Sequence, residues 1–169
     1  MRGWYQEKFK TTPPTYRTLI EKMQTIAPPA LAYPEIEIDA WNKGVTVGGK
    51  NVDLSATCFA ALIALANGVY GRDLHMRLME AAAGPRGGAC EWLAELREGS
   101  RFKNSDMKED VSKVMSDLRT NLTGGGFTDV ESLVPKRGRA VTFPLARIKW
   151  VNRKKAADVC GCLFPGSAK

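Results

Sequence analysis

Residues 110–143 read DVSKVMSDLRTNLTGGGFTDVESLVPKRGRAVTF, and how this stretch divides decides the fold. Val111, Val114, Met115, Leu118 and Leu122 recur at helical spacing, so the first half predicts an amphipathic helix, opened by Asp106 and Glu109. Gly124, Gly125 and Gly126 stop it. Beyond the glycines the period changes to two. Val130 and Val134, then Val141 and Phe143, flank the turn PKRGR and predict a β-hairpin. Its tip crowds Lys136, Arg137 and Arg139 around Gly138. Three cations on one turn repel each other and add little to the fold. A polyanionic partner would account for them; the bland alternative is a solvated basic turn.

The charge of the whole chain has the same address. Of 169 residues, 25 are Lys/Arg and 18 Asp/Glu, for a net charge of +7. Residues 101–155 carry 13 Lys/Arg against 6 Asp/Glu, an excess equal to that of the whole chain. One third of the sequence is therefore basic and the rest balanced, a distribution that suits nucleic acid or another anionic surface. Hydrophobic content of 44% and charged content of 25% are those of a soluble globular chain. No apolar stretch reaches the ~20 residues of a membrane span, and MRGWYQEKFK lacks a signal-peptide apolar region. The expectation is a cytoplasmic protein with no membrane partner.

Upstream of the basic segment the punctuation is clear. Residues 1–34 read as a connector with a short amphipathic helix between two Pro-Pro breaks; Leu19, Ile20, Met23 and Ile26 share one face. From 35 onward, Ile36 and Ile38 alternate with acids, and Val45 and Val47 alternate with Val52 and Leu54 across a Gly-Gly-Lys-Asn turn over 48–51; the pattern predicts a small antiparallel sheet. Ser55 caps the helix ATCFAALIALA, which Asn67-Gly68 ends. A second helix is expected over about 73–82, with Leu74, Leu78 and Met79 inward. A third, ACEWLAELRE, lies within an insertion spanning 81–104 and turns Trp92, Leu93 and Leu96 to the core. Residues 151–169 read as a basic, then Cys-x-Cys, tail.

Sheet, helices, one long helix and a hairpin with a basic tip follow the order of a winged helix-turn-helix. The expected fold is accordingly α+β, mainly α, with a small N-terminal antiparallel sheet and a C-terminal β-hairpin wing over 35–150. VTVGGKNVDLSATCFAALIALANG resembles the opening of the response-regulator type of winged helix, DVSKVMSDLRTNL its recognition helix and VPKRGRAVTF its wing. The long insertion, Ser112, Lys113 and Leu118 in the late helix, and a hairpin ending near Ile148 are similar to the C-terminal region of a CRISPR-associated family. Members of that family carry an N-terminal CARF domain, a sensor that in several cases cleaves cyclic oligoadenylate as a ring nuclease. No part of this sequence resembles the CARF domain. The resemblance implies a nucleic-acid-binding module of antiviral defence without its sensor: either a fragment that begins just after the sensor, or a short chain whose sensor lies on an adjacent one.

In such a fold the late helix offers its solvent face to the major groove and the wing touches the backbone. Rotation at helical period places Lys113, Ser116 and Thr120 opposite the apolar stripe and Arg119 on its flank; these suit phosphate or base-edge hydrogen bonds. Glu109 and Asp117 on the same face do not. Lys136, Arg137 and Arg139 would neutralise phosphates from the wing, and Arg147 and Lys149 extend the track. Trp150 could stack on a base, or serve as a lid on the core. The expected partner is DNA or RNA. The alternative, which the two carboxylates favour, is a protein-interaction or dimerisation module of the same shape.

Enzymatic readings fare poorly. His75 is the only histidine, so a ribonuclease would have to be built on it alone. The glycines 124–126 follow a helix instead of preceding one, so they form no phosphate loop. Cys58 reads as a small core hydrophobe, while Cys160 and Cys162 are a lone Cys-x-Cys without a second pair at zinc spacing. No cofactor and no metal is expected.

Overall fold

A computed structural model describes residues 33–84, 90–99, 107–136 and 139–165, with no account of the side chains of 107–110. The expected connector helix before residue 33, and Arg137 and Gly138 at the expected wing tip, lie outside the described residues. Within them the chain is α+β and mainly helical, with a small mixed sheet of four strands.

The N-terminal strands follow the sequence reading. β1 (Ile36–Asp39) pairs antiparallel with β2 (Gly44–Val47), in a register that sets Ile36 opposite Val47 and Ile38 opposite Val45. All four are buried, because alternation puts them on one face. Gly48 and Gly49 turn the chain at φ of +55° and +82° into β3 (Lys50–Asn51). Glycines take this left-handed pair without a Cβ penalty, as a two-residue hairpin loop requires.

Four helices build the core on this sheet. α1 (Ala56–Ala66) is buried at ten of its eleven residues, so it is the central rod and not a surface helix. Ser55 caps it as its spacing predicts, accepting from the Cys58 N–H at 3.3 Å. α2 (Gly71–Ala82) buries Leu74, Leu78, Ala81 and Ala82; Met79, expected inward, is 38% exposed. α3 (Glu91–Gly99) turns in Trp92, Leu93 and Leu96. The Trp92 indole N–H donates to the Ala40 carbonyl at 2.8 Å, and its ring meets Phe59 edge-on at 5.2 Å. One side chain thus ties α3 to the turn after β1 and to α1. α4 (Met107–Gly124) packs Val114, Leu118 and Leu122 against α1.

The hairpin does not form. Residues 130–133 make a one-turn helix, α5 (Val130–Leu133), in which the Val134 N–H donates to the Val130 carbonyl at 2.8 Å. That turn consumes backbone groups a ladder would need. The chain does return, with Thr142 and Phe143 N–H both donating to the Ser132 carbonyl at 2.8 and 2.9 Å. This anchors a loop without making a strand pair. Phe127 and Phe143 then stack their rings at 5.6 Å on the core.

The next strand goes elsewhere. After a 3-10 turn at Leu145–Arg147, β4 (Ile148–Val151) pairs parallel with β1, so the sheet order is β3-β2-β1-β4. Residues beyond 151 are more than a tail. α6 (Arg153–Val159) and a second 3-10 turn at Gly161–Leu163 bury Ala156, Cys160, Leu163 and Phe164. Trp150 lies against Phe164 with ring centroids 6.0 Å apart, the lid arrangement.

Asp39 joins the two ends of this sheet. Its Oδ1 accepts from the backbone of Trp41 and Asn42 and from the Asn152 amide, each at 3.1 Å, while Oδ2 accepts from Asn42 at 2.9 Å. Partial burial raises its pKa, but these hydrogen bonds outweigh burial and leave it below the ordinary carboxylate value. A lowered folded pKa means stability present above the unfolded value of about 3.9 and lost as pH falls through the folded one. Asp39→Ala is expected to cost ~1 kcal/mol at neutral pH. The gap to the parent chain, read by urea unfolding, should narrow below about pH 4; a gap unchanged with pH would contradict this role.

Candidate nucleic-acid interface

α2, α4 and the loop residues Pro135, Lys136 and Arg139 line a common surface. Between them runs an open groove of about 1180 Å³. Its floor is apolar because both helices turn aliphatic side chains there: Leu74 and Met76 from α2, Val111 and Met115 from α4, with Tyr70 at the lip. Tyr70 is 45% exposed and Met76 57%. The α4 stripe predicted from sequence therefore splits. Val114, Leu118 and Leu122 reach the core, whereas Val111 and Met115 are half-buried at the groove.

The rim is cationic. Arg72 and His75 stand on the α2 side, Arg119, Lys136 and Arg139 on the other, and no carboxylate is among the described lining residues. Arg119 has a structural duty: its guanidinium donates to the carbonyls of Val134 and Pro135 at 3.5 and 3.3 Å, holding the basic loop against α4. Lys136 pairs with Glu131 at 3.0 Å, and both are substantially exposed. Such surface pairs are worth ~0–1 kcal/mol, so a phosphate can compete for the ammonium. The hydrogen bond and charge of Lys136, helped by Arg139 and Arg119, hold the Glu131 carboxyl below its ordinary value. The field at this loop is positive despite that one acid. On its other side Asp129 and Glu131 share a shallower hollow with Lys136 and Arg139.

The remaining residues expected at the interface are dispersed. Lys113, Ser116 and Thr120 lie exposed along α4, beside Asp117; the Thr120 hydroxyl donates to the Ser116 carbonyl at 3.0 Å. Arg147 is exposed on its 3-10 turn. Lys149 sits on β4 directly across from Glu37 and pairs with it at 2.9 Å, which raises the ammonium pKa. Arg153 lies 5.2 Å from the Trp150 ring and donates to Asn67 at 2.6 Å, and Lys155 lies 4.0 Å from the Trp41 ring. Lys149, Arg153 and Lys155 thus have partners within the fold.

Sequence reading found Arg119, Lys136 and Arg139 through their charge. It missed Tyr70, Arg72 and Met76, which belong to a separate element. The available signal was that Tyr70 and Met76 are large apolar residues off the buried stripe of α2.

His75 lies half-buried at the groove, without a second histidine in the chain. Among the described residues no group of three His, Cys, Asp or Glu could hold a metal ion. The thiols of Cys160 and Cys162 are 3.7 Å apart; their hydrogen bond pushes the buried Cys160 up and Cys162 down. No described helix is long and apolar enough to cross a membrane. Compared with family models, with curated proteins and with solved structures, the chain finds no match in any of the three.

Proposed function

We propose that this chain binds nucleic acid through the groove between α2 and α4. The observation that carries the proposal is the pairing of an apolar floor with a rim of cations, with no carboxylate among the described lining residues. In this reading α1, α2 and α4 stand for the three helices of a winged helix, α3 fills the insertion, and an anchored basic loop replaces the hairpin wing. The likeness of the sequence to the C-terminal region of CARF-containing CRISPR-associated proteins supports a non-enzymatic role in antiviral defence.

Binding to labelled oligonucleotides, followed by fluorescence anisotropy, is the direct test. Micromolar or tighter affinity at low salt is expected, falling linearly in log–log form with a slope of roughly −0.7 to −0.9 for each phosphate engaged. Absence of binding to any oligonucleotide at low salt would overturn the proposal.

A second reading, as a protein-interaction or dimerisation module, draws on Tyr70, Met76 and Met79. These are the large apolar side chains most exposed among the described residues, and all three belong to the α2 region. A dimer in analytical ultracentrifugation that is dissociated by Met76→Asp and indifferent to the loop cations would favour it.

A further inference from the structure

We infer that the ligand of the groove is a single strand, with bases laid on the apolar floor and phosphates on the cationic rim. The inference rests on the nucleic-acid reading above and specifies the form of nucleic acid it takes.

A duplex keeps its base faces inside the stack and presents phosphates on the outside. Docked on this groove, it would set charged oxygens over Leu74, Met76 and Met115, desolvating them with no return. A single strand exposes base faces, which need apolar or aromatic surface, on a backbone that needs cations. The groove has both, in that arrangement. Tyr70 supplies an aromatic face at the lip, and the thioethers of Met76 and Met115 are polarisable and adapt to flat rings. Arg72 from α2 and Lys136 and Arg139 from the basic loop line the same groove, so a backbone has cations to follow.

Size agrees. At about 1180 Å³ the groove exceeds the ~300–1,000 Å³ usual for a pocket that encloses one small molecule. It therefore suits a chain of nucleotides passing through more than a mononucleotide sealed within. The solvent face of α4 argues in the same direction. Asp117 stands exposed among Lys113, Ser116 and Thr120, where major-groove docking would bring a carboxylate toward phosphate. A strand lying on the opposite, groove-facing flank of α4 avoids it.

The test compares labelled oligothymidine, oligouridine of the same length and the corresponding A·T duplex, each titrated into the full chain and into Tyr70→Ala, Tyr70→Phe and Met76→Ala. Both side chains are exposed, and Tyr70 makes no side-chain cap to α2, so the fold does not depend on them. Expected is a preference of about tenfold or more for the single strands, with base–aromatic contact as its source. Tyr70→Ala and Met76→Ala should each weaken single-strand binding by about tenfold, and Tyr70→Phe should restore it. Oligothymidine and oligouridine separate DNA from RNA. Duplex binding equal to or tighter than single-strand binding would overturn this inference and leave the nucleic-acid reading standing, as would alanine variants that bind normally. Binding to none of the three would overturn both.

Discussion

Replacing Arg72, Lys136 and Arg139 together by alanine is expected to weaken oligonucleotide binding about hundredfold near 0.1 M salt. Each phosphate contact to a single strand releases roughly 0.7 of a counterion, worth a factor of about five at that concentration, and three such contacts multiply. The salt slope should fall by about two units with them. None of the three holds the core: Arg72 and Arg139 are exposed, and Lys136 makes only a surface pair with Glu131. Arg119 is left in place because its bonds to Val134 and Pro135 hold the loop. Lys149→Ala is the matched control. That ammonium is committed to Glu37 on the neighbouring strand, and its loss should change affinity less than about threefold. Equal effects from the two sets, measured by anisotropy across a salt series, would show a diffuse basic surface in place of a site.

The largest effect on stability is expected at Trp92. Trp92→Ala should cost ~3–5 kcal/mol through lost burial and the cavity left behind. The Ala40 carbonyl, in a fully buried residue, also loses its donor. Domains of this kind are stable by only ~5–15 kcal/mol, so a third or more of the total is at stake. Trp92→Phe keeps a ring against Phe59 but no N–H, and should cost less than half as much. Urea unfolding followed by circular dichroism measures both. A Trp92→Ala change below about 1 kcal/mol would mean that α3 is peripheral to the fold.

What could be read from sequence follows the range of the interactions. The Ser55 cap and the core-facing part of the α4 stripe are local, settled within a few residues, and lie where their spacing puts them; the expected Gly-Gly-Lys-Asn turn closes on its two glycines alone, and Lys50–Asn51 form β3. The segment 127–134 was misleading for a definable reason. Val130 and Val134 are four apart, a spacing that satisfies a period of two and a helical turn alike. Eight residues are too few to separate them. The partner of β4 is over a hundred residues earlier in the chain, and a parallel pairing of that range leaves no mark on local alternation. It is this pairing that directs the chain away from a hairpin.

The candidate site divides in the same way. The cations of the basic loop were conspicuous because like charges in a cluster need a reason. Tyr70 and Met76 became part of the site only once α2 was packed beside α4, leaving those side chains no core to enter. Single-strand recognition needs both halves. Lys136 and Arg139 alone describe only an affinity for anions; Tyr70, Met76 and Met115 add a surface for bases.

Photo-crosslinking tests that combination most directly. An oligouridine carrying 4-thiouridine, bound to the full chain, irradiated and mapped by mass spectrometry, should place its crosslinks on the groove floor and lip, at Tyr70, Met76 and Met115. Crosslinks confined to Trp150 and the β4 edge, or none above those of a denatured control, would contradict the account.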